Sequence, residues 1–221
     1  MIVVIQCAKK KQPAAGSMAT NDGRLVKFVA DPLRAPVQLD CVYAQPDDLA
    51  ESGRSWREQL LEYNREGRND LGLLPAYRLY QDPAYRLLVE RFGVANVYVL
   101  SAGWGLVRAD FRIPSYDITF SPVAPPDAYK RRAKNDIYAD FRLPDHVNDD
   151  MVFFGGEAYR PLFCSLTSAV TATRTVFYRS GDASVSTEPP VVPGCQLRRF
   201  VTRRCTTWYY ECVHAFLGGL L

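Results

Sequence analysis

Only two of the 221 residues are histidine, and none of the six cysteines, at positions 7, 41, 164, 195, 205 and 212, stands in a Cys-x-x-Cys pair. Zinc and related metal sites draw on such clusters, so neither a metal nor any other cofactor is expected. No apolar run approaches the roughly 20 residues that a membrane-spanning helix needs, and the first residues lack the basic region, apolar core and small-residue cleavage site of a secretory signal. A cytoplasmic protein with reduced thiols and no membrane partner is therefore expected. There is no internal repeat, which excludes a solenoid. Nor does charge of one sign dominate, with 27 basic against 24 acidic residues. A formal net charge of +3 is too small to name a polyanionic partner, so the places where positive charge gathers matter more.

What is present is ordinary for a folded chain. With 48% hydrophobic and 23% charged residues, it can bury one sizeable core, and a single domain over 1–221 is expected. Nearly continuous apolar runs at 2–7, 95–102 and 151–155 predict strands covered on both faces, and 174–179 predicts a fourth. Ser55-Trp56-Arg57-Glu58 has capping-box spacing and Gly67 can stop the helix, which predicts a helix over 56–66. Asp82-Pro83 suits an N-cap and first helical position, and Leu87, Leu88 and Phe92 give an apolar face before Gly93, which predicts a helix over 83–92. Tyr129, Ala133, Ile137 and Phe141 recur every four residues and predict a helix over that span with Lys130, Arg131 and Lys134 pointing elsewhere. Segments 157–171 and 206–218 also read as helices. Segments 12–54 and 181–196, rich in Pro, Gly, Asp and Ser, read as loop insertions. Strands alternating with helices imply an α/β fold with a mostly parallel central sheet flanked by helices.

Chemistry concentrates in residues 98–117, Tyr-Val-Leu-Ser-Ala-Gly-Trp-Gly-Leu-Val-Arg-Ala-Asp-Phe-Arg-Ile-Pro-Ser-Tyr-Asp. A buried-type strand runs into Gly-x-Gly and then into a loop rich in carboxylates and rings, and such strand ends are where α/β proteins place chemistry. Gly103-Trp104-Gly105 lacks the third glycine of a dinucleotide fingerprint, and it serves either a tight turn or the approach of backbone to a planar ligand. Asp110 and Asp117 flank Pro114 and Tyr116, so at least one carboxylate is expected in the crevice, the alternative being turn carboxylates that bond their own backbone. The first strand stops at Lys9-Lys10-Lys11, and its end and that of the strand at 95–102 are expected to line one pocket. Gly155-Gly156-Glu157-Ala158-Tyr159-Arg160 closes the third strand and opens a helix whose N–H groups favour anions and whose Arg160 can grip a phosphate, or it is ordinary helix initiation.

In combination, Val-Val-Ile-Gln-Cys-Ala-Lys-Lys-Lys, Leu79-Tyr80 before a helix, Leu-Ser-Ala-Gly-Trp-Gly-Leu-Val with Asp110 and Pro114-Ser-Tyr-Asp117, and Phe-Gly-Gly-Glu-Ala-Tyr-Arg resemble the YaaA-like and DUF-type proteins of bacteria and phages. The resemblance spans roughly residues 2–11 and 75–165. Those relatives typically read Ile-Ser-Cys-Ser-Lys-x-Lys, Leu-Ser-Ala-Lys-Tyr-Gly-Leu and Pro-Tyr-Asp, and the wider group is similar to uracil-DNA glycosylases and to a domain of archaeosine-forming enzymes. Here Gln6 and Ala8 replace serines, Gly103-Trp104 replaces Lys-Tyr, and 12–54 has no counterpart. Gln81-Asp82-Pro83 matches a uracil-DNA glycosylase tripeptide, but its helical flanks make Asp82 a helix cap. The resemblance implies a uracil-DNA-glycosylase-like fold and handling of nucleic acid or nucleobases, while fold alone fixes no reaction.

Three functions follow as expectations. The first is a DNA glycosylase that excises a modified nucleobase, in antiviral defence against hypermodified phage DNA. Breaking an N-glycosidic bond develops positive charge on the sugar, which Asp110 or Asp117 would stabilise while positioning water. A base within a duplex must first be flipped out and held by stacking and edge contacts. Cys7, Ser101, Trp104, Tyr116, Gly156 and Tyr159 are the candidate base pocket, with the rings of Trp104, Tyr116 and Tyr159 for stacking. Lys9, Lys10, Lys11, Lys130, Arg131, Arg132 and Arg160 are the candidate phosphate contacts, giving affinity that falls as salt rises. The second function is a stress-response DNA-binding protein without catalysis, which needs no placed aspartate. The third is transferase chemistry with Cys7 or an aspartate as nucleophile, although Cys7 reads first as a small buried residue at a strand end.

Overall fold

Ile2-Val3-Val4-Ile5-Gln6 is apolar at every position but the last, and in the computed structural model, which describes residues 1–180, 192 and 194–221, it forms strand β1 (Ile2–Gln6), buried throughout. Among the described residues nine further strands follow in chain order: β2 (Leu25–Phe28), β3 (Cys41–Ala44), β4 (Leu74–Pro75), β5 (Val97–Ser101), β6 (Gly105–Arg108), β7 (Arg112–Ile113), β8 (Met151–Phe154), β9 (Arg174–Ser180) and β10 (Gln196–Val201). The helices are α1 (Trp56–Arg65), α2 (Ala76–Leu79), α3 (Ala84–Phe92), α4 (Arg160–Leu166) and α5 (Trp208–Leu217).

The central sheet has the order β10-β9-β8-β1-β5-β6. All neighbours in it are parallel except β6, which returns antiparallel to β5. In register, Ile5 of β1 lies opposite Val99 of β5 on one side and Phe154 of β8 on the other. Adjacent residues on a strand point to opposite faces, and β8 shows what that does here. Phe153 stacks on Phe163 of α4 with ring centroids 4.6 Å apart, while Phe154 meets Phe216 of α5 at 5.2 Å. Helices thus cover both faces, which is why these strands read as unbroken apolar runs rather than alternating ones. The four strands expected from the sequence are all present, and the α/β architecture with a mostly parallel sheet stands.

The capping box forms as its spacing implies. Ser55 accepts from the Glu58 N–H, Glu58 accepts from the Ser55 N–H, and α1 runs over Trp56–Arg65. The Asp82 carboxylate accepts the Ala84 N–H at 2.9 Å, but it stands one place before the N-cap, Pro83, and α3 starts at Ala84 rather than at Pro83.

Four expectations need correction. Tyr129 to Phe141 is not a helix. A 3-10 turn over Pro125–Lys130 gives way to irregular chain, because Arg132 turns inward to a buried ion pair with Asp140 and Phe141 bonds backbone to backbone with Trp104 and Leu106. Ile137, on the expected apolar face, is 96% exposed. Segment 12–54 is not all loop, since β2 and β3 pair in parallel within it. Leu25-Val26-Lys27-Phe28 alternates exposed and buried, a half-covered strand too short to stand out among prolines and glycines. Of the expected loop 181–196, residues 181–191 and 193 lie outside the described residues, and Gln196 already begins β10. The helix expected over 157–171 is shorter, a 3-10 turn over Glu157–Tyr159 leading into α4.

Gly103-Trp104-Gly105 makes the tight turn between β5 and β6. Gly105 has φ +83°, and a Cβ there would stand 2.6 Å from the Phe141 carbonyl oxygen. Gly105→Ala is expected to cost about 2 kcal/mol or more through left-handed strain and this clash, as read by chemical denaturation.

Candidate functional site

The chain leaves β1 towards β5 on one side and leaves β8 towards β9 on the other, so the connections that follow these two neighbouring strands run apart beyond their carboxyl ends. In open α/β sheets a ligand crevice forms at such a point. A cleft of about 1180 Å³ lies there. Its floor is the end of β1 and the turn beyond it, Gln6 to Lys11, and its walls come from the loop around Asp117, the turn Gly156–Tyr159 and the start of α5.

The floor is fixed by hydrogen bonds across the sheet. Gln6 accepts the Tyr85 hydroxyl at its carbonyl oxygen, 2.7 Å, and the Gly156 N–H at Oε1, 2.5 Å, which ties the end of β1 to the end of β8. The Cys7 N–H donates to the Leu100 carbonyl at 2.9 Å, and Cys7 Sγ lies 3.3 Å from the Tyr159 hydroxyl. The lysine turn is strapped to the residues before α3. Gln12 N–H donates to Leu79 O, Gln81 N–H to Lys10 O, and Gln81 Nε2 to Lys11 O at 2.7 Å. Lys9 and Lys10 project into solvent with no ion pair among the described residues. Lys11 instead folds inward. Its Nζ lies 3.4 Å from the Ala8 carbonyl and 4.2 Å from the centroid of the Tyr116 ring. Burial lowers the pKa of this amine, while charge on Cys7 and Asp117 acts to raise it.

Asp117 is positioned by backbone. Its N–H donates to the Phe28 carbonyl at 2.8 Å, and two residues on Thr119 N–H donates to Lys130 O at 3.0 Å, so β2 and the 3-10 turn hold the loop from both sides. The Asp117 carboxylate pairs with Lys130 Nζ at 2.9 Å, and Asp127 pairs with the same ammonium at 2.7 Å. Desolvation disfavours charge on Lys130, but the hydrogen bonds to Asp127 and Asp117 outweigh it and raise the pKa above the ordinary lysine range.

Under the cleft lies a layer of tyrosines. The Tyr80 and Tyr116 hydroxyls meet at 2.8 Å, and those of Tyr85 and Tyr210 at 3.3 Å. Burial raises the pKa of Tyr80, Tyr85, Tyr116 and Tyr159 well above that of a free phenol and keeps them protonated.

The convergence expected of the turns after β1 and β5 holds for Asp117, Cys7, Lys9, Lys10, Lys11, Lys130, Gly156 and Tyr159, all at the cleft. It fails for Asp110. Because β6 is antiparallel, Arg108 sits opposite Tyr98, and Asp110 therefore lies at the other end of the sheet from Cys7, ion-paired with Arg108 at 2.6 Å. Trp104 is fully buried, packed edge-on against Phe28 with Arg57 over its ring, and offers no face to a ligand. Ser101 and Tyr116 lie beneath the surface. The Ser101 hydroxyl accepts the N–H groups of Gly103 and Trp104, and Tyr116 is covered by Lys11. Arg132 is buried, donating to Ala102 O and to Asp140. Arg131 is exposed and Arg160 half-buried, and neither lines the cleft.

Two features were hidden in the sequence. Buried Arg57 donates to Gly103 O and Trp104 O, so with Arg132 two guanidinium groups satisfy three successive carbonyls of the β5–β6 turn. The start of α5 supplies Trp208, Tyr209 and Tyr210 to the cleft, and Arg204 just before it pairs with Glu211. The aromatic run 208–210 was the available signal for this wall. Among the described residues no helix is long and apolar enough to cross a membrane, and no three His, Cys, Asp or Glu residues converge as metal ligands. Comparison of the chain with protein-family models, with curated proteins and with solved structures finds no match in any of the three.

Proposed function

We propose that the protein is a DNA glycosylase that flips out and excises a modified nucleobase, with Asp117 as the carboxylate that stabilises the sugar cation. The observation that carries this reading is that Asp117, anchored through its own N–H and held beside Lys130, shares one crevice with the lysine turn and with Tyr159. As the base leaves, positive charge grows on the sugar, and a carboxylate fixed before the reaction stabilises that charge without reorganising. Tyr159, Tyr209 and Tyr210 border the cleft and supply ring surface for an extruded base. Lys9 and Lys10, exposed at the mouth, hold phosphates. The cleft, about 1180 Å³, has room for a base with a bulky substituent. The hypermodified DNA of phages offers such bases, and their removal is antiviral defence.

The test incubates the protein with phage DNA carrying substituted pyrimidines and with unmodified DNA, then counts abasic sites with an aldehyde-reactive probe. Sites accumulating only in the modified DNA support the proposal, and intact DNA in both overturns it. The second reading, DNA binding without catalysis, draws on the ion pair with Lys130, which also suits a purely structural Asp117. Either way, Lys9→Gln with Lys10→Gln is expected to weaken DNA binding and to reduce the slope of log affinity against log salt by about 0.9 for each phosphate no longer neutralised. Fluorescence anisotropy at several salt concentrations reads this directly.

A further inference from the structure

Lys11 differs from its two neighbours in where its amine lies. Lys9 and Lys10 reach solvent, whereas Lys11 Nζ is packed over the Tyr116 ring, near Ala8 O, at the floor of the cleft and close enough to Asp117 and Cys7 to feel their charge. An ammonium meant for phosphate gains nothing from such a place, because a phosphate contact needs the charge outside. A desolvated amine at the floor of a cleft is instead the arrangement that makes lysine a nucleophile towards carbonyl carbon.

We propose that Lys11 is the nucleophile of a second activity, a lyase step in which its amine attacks the aldehyde carbon of an abasic deoxyribose in DNA. The inference rests on the glycosylase reading for its substrate class, since base removal leaves that aldehyde in the same cleft. In the step the Lys11 nitrogen bonds to C1′ of the ring-opened sugar, and loss of water gives a protonated imine. The Asp117 carboxylate takes a proton from C2′, the electron pair forms the C2′–C3′ double bond, and the 3′ phosphate leaves. Water then hydrolyses the imine, releasing an unsaturated aldehyde and restoring the amine. No electrons are gained or lost overall, so no oxidant or reductant is needed. The lowered pKa of Lys11 increases the share of neutral amine available for attack.

The test uses the full chain and a duplex oligonucleotide carrying one preformed abasic site, with sodium cyanoborohydride to reduce any imine to a stable amine. A covalent protein–DNA adduct is expected, with tryptic mass spectrometry placing the link on Lys11. The adduct is expected to be lost in Lys11→Arg, which keeps the charge, and retained in Lys27→Arg, a lysine of β2 outside the cleft. No adduct from the unaltered protein, a link mapped to another residue, or an undiminished adduct in Lys11→Arg overturns the proposal. Peptide mapping on the unaltered protein decides the matter even where the variant fails to fold. A protein that forms the Lys11 adduct but releases no base leaves the lyase standing and removes the glycosylase, while base release without an adduct does the reverse.

Discussion

Replacing Asp117 by asparagine is expected to lower the rate of base release by about 100- to 1000-fold, the loss typical of removing one preorganised charge-stabilising group. The substitution keeps size and shape, and the bond that seats the residue, from its N–H to Phe28 O, is untouched. What disappears is the negative charge that the proposed reaction sets against the sugar. Stability should hardly change, because the Asp117–Lys130 pair is half-exposed and such pairs contribute about 0–1 kcal/mol. Lys130 also retains Asp127. Asp110→Asn is the matched control, since its carboxylate meets only Arg108 at the far end of the sheet, and it should leave base release unchanged. Single-turnover kinetics on the two variants, with a thermal melt of each, separates the catalytic effect from the structural one.

Trp104→Ala is expected to lower stability by about 3–5 kcal/mol, the cost of emptying a large buried aromatic site. In a chain of this size that corresponds to a fall in melting temperature of about 10 °C. The ring is fully buried, 5.0 Å from Phe28, stacked at 6.5 Å on Phe141 and covered by the Arg57 guanidinium, so alanine leaves a cavity that three rigid neighbours cannot close. At a temperature where the variant is folded, its affinity for DNA should equal that of the unaltered protein. Thermal denaturation followed by anisotropy measures both, and a stable variant with impaired binding would mean that the ring does meet the ligand.

How far the sequence could be read depended on whether a signal was local. β1, β5 and β8 announce themselves because strands covered on both faces must be apolar throughout, and α1 and α3 because Ser55 is the N-cap of one and Asp82 stands one place before that of the other. The span 129–141 shows the limit of periodicity alone. Four residues at a spacing of four carry no cap, and Arg132, within that span, is drawn inward by Asp140 and the Ala102 carbonyl. The choice between Asp110 and Asp117 could not be made from spacing, because it turns on the direction of β6. A tight turn at Gly105 sends the chain back along β5, carrying Asp110 away from the crevice, and the loop from β7 onward brings Asp117 back to it. The tripeptide Gln81-Asp82-Pro83 reads as a cap, and the Asp82 carboxylate does accept an N–H at the start of α3, although Gln81 and Asp82 also border the cleft. The aromatic run of α5 was visible, but its place at the cleft was not, for a different reason. Trp208 lies far beyond Tyr159 in the chain, and only the placement of β9 and β10 beside β8 brings the two together.

The central claim is that the cleft between β1 and β8 breaks the bond between sugar and base, and the chemical identity of whatever small molecule is released tests it most directly. Mass spectrometry of the low-molecular-weight fraction after incubation with hypermodified phage DNA is expected to find the free substituted base, with the sugar–phosphate chain left behind. A released nucleoside or nucleotide, or no small molecule at all, would contradict it.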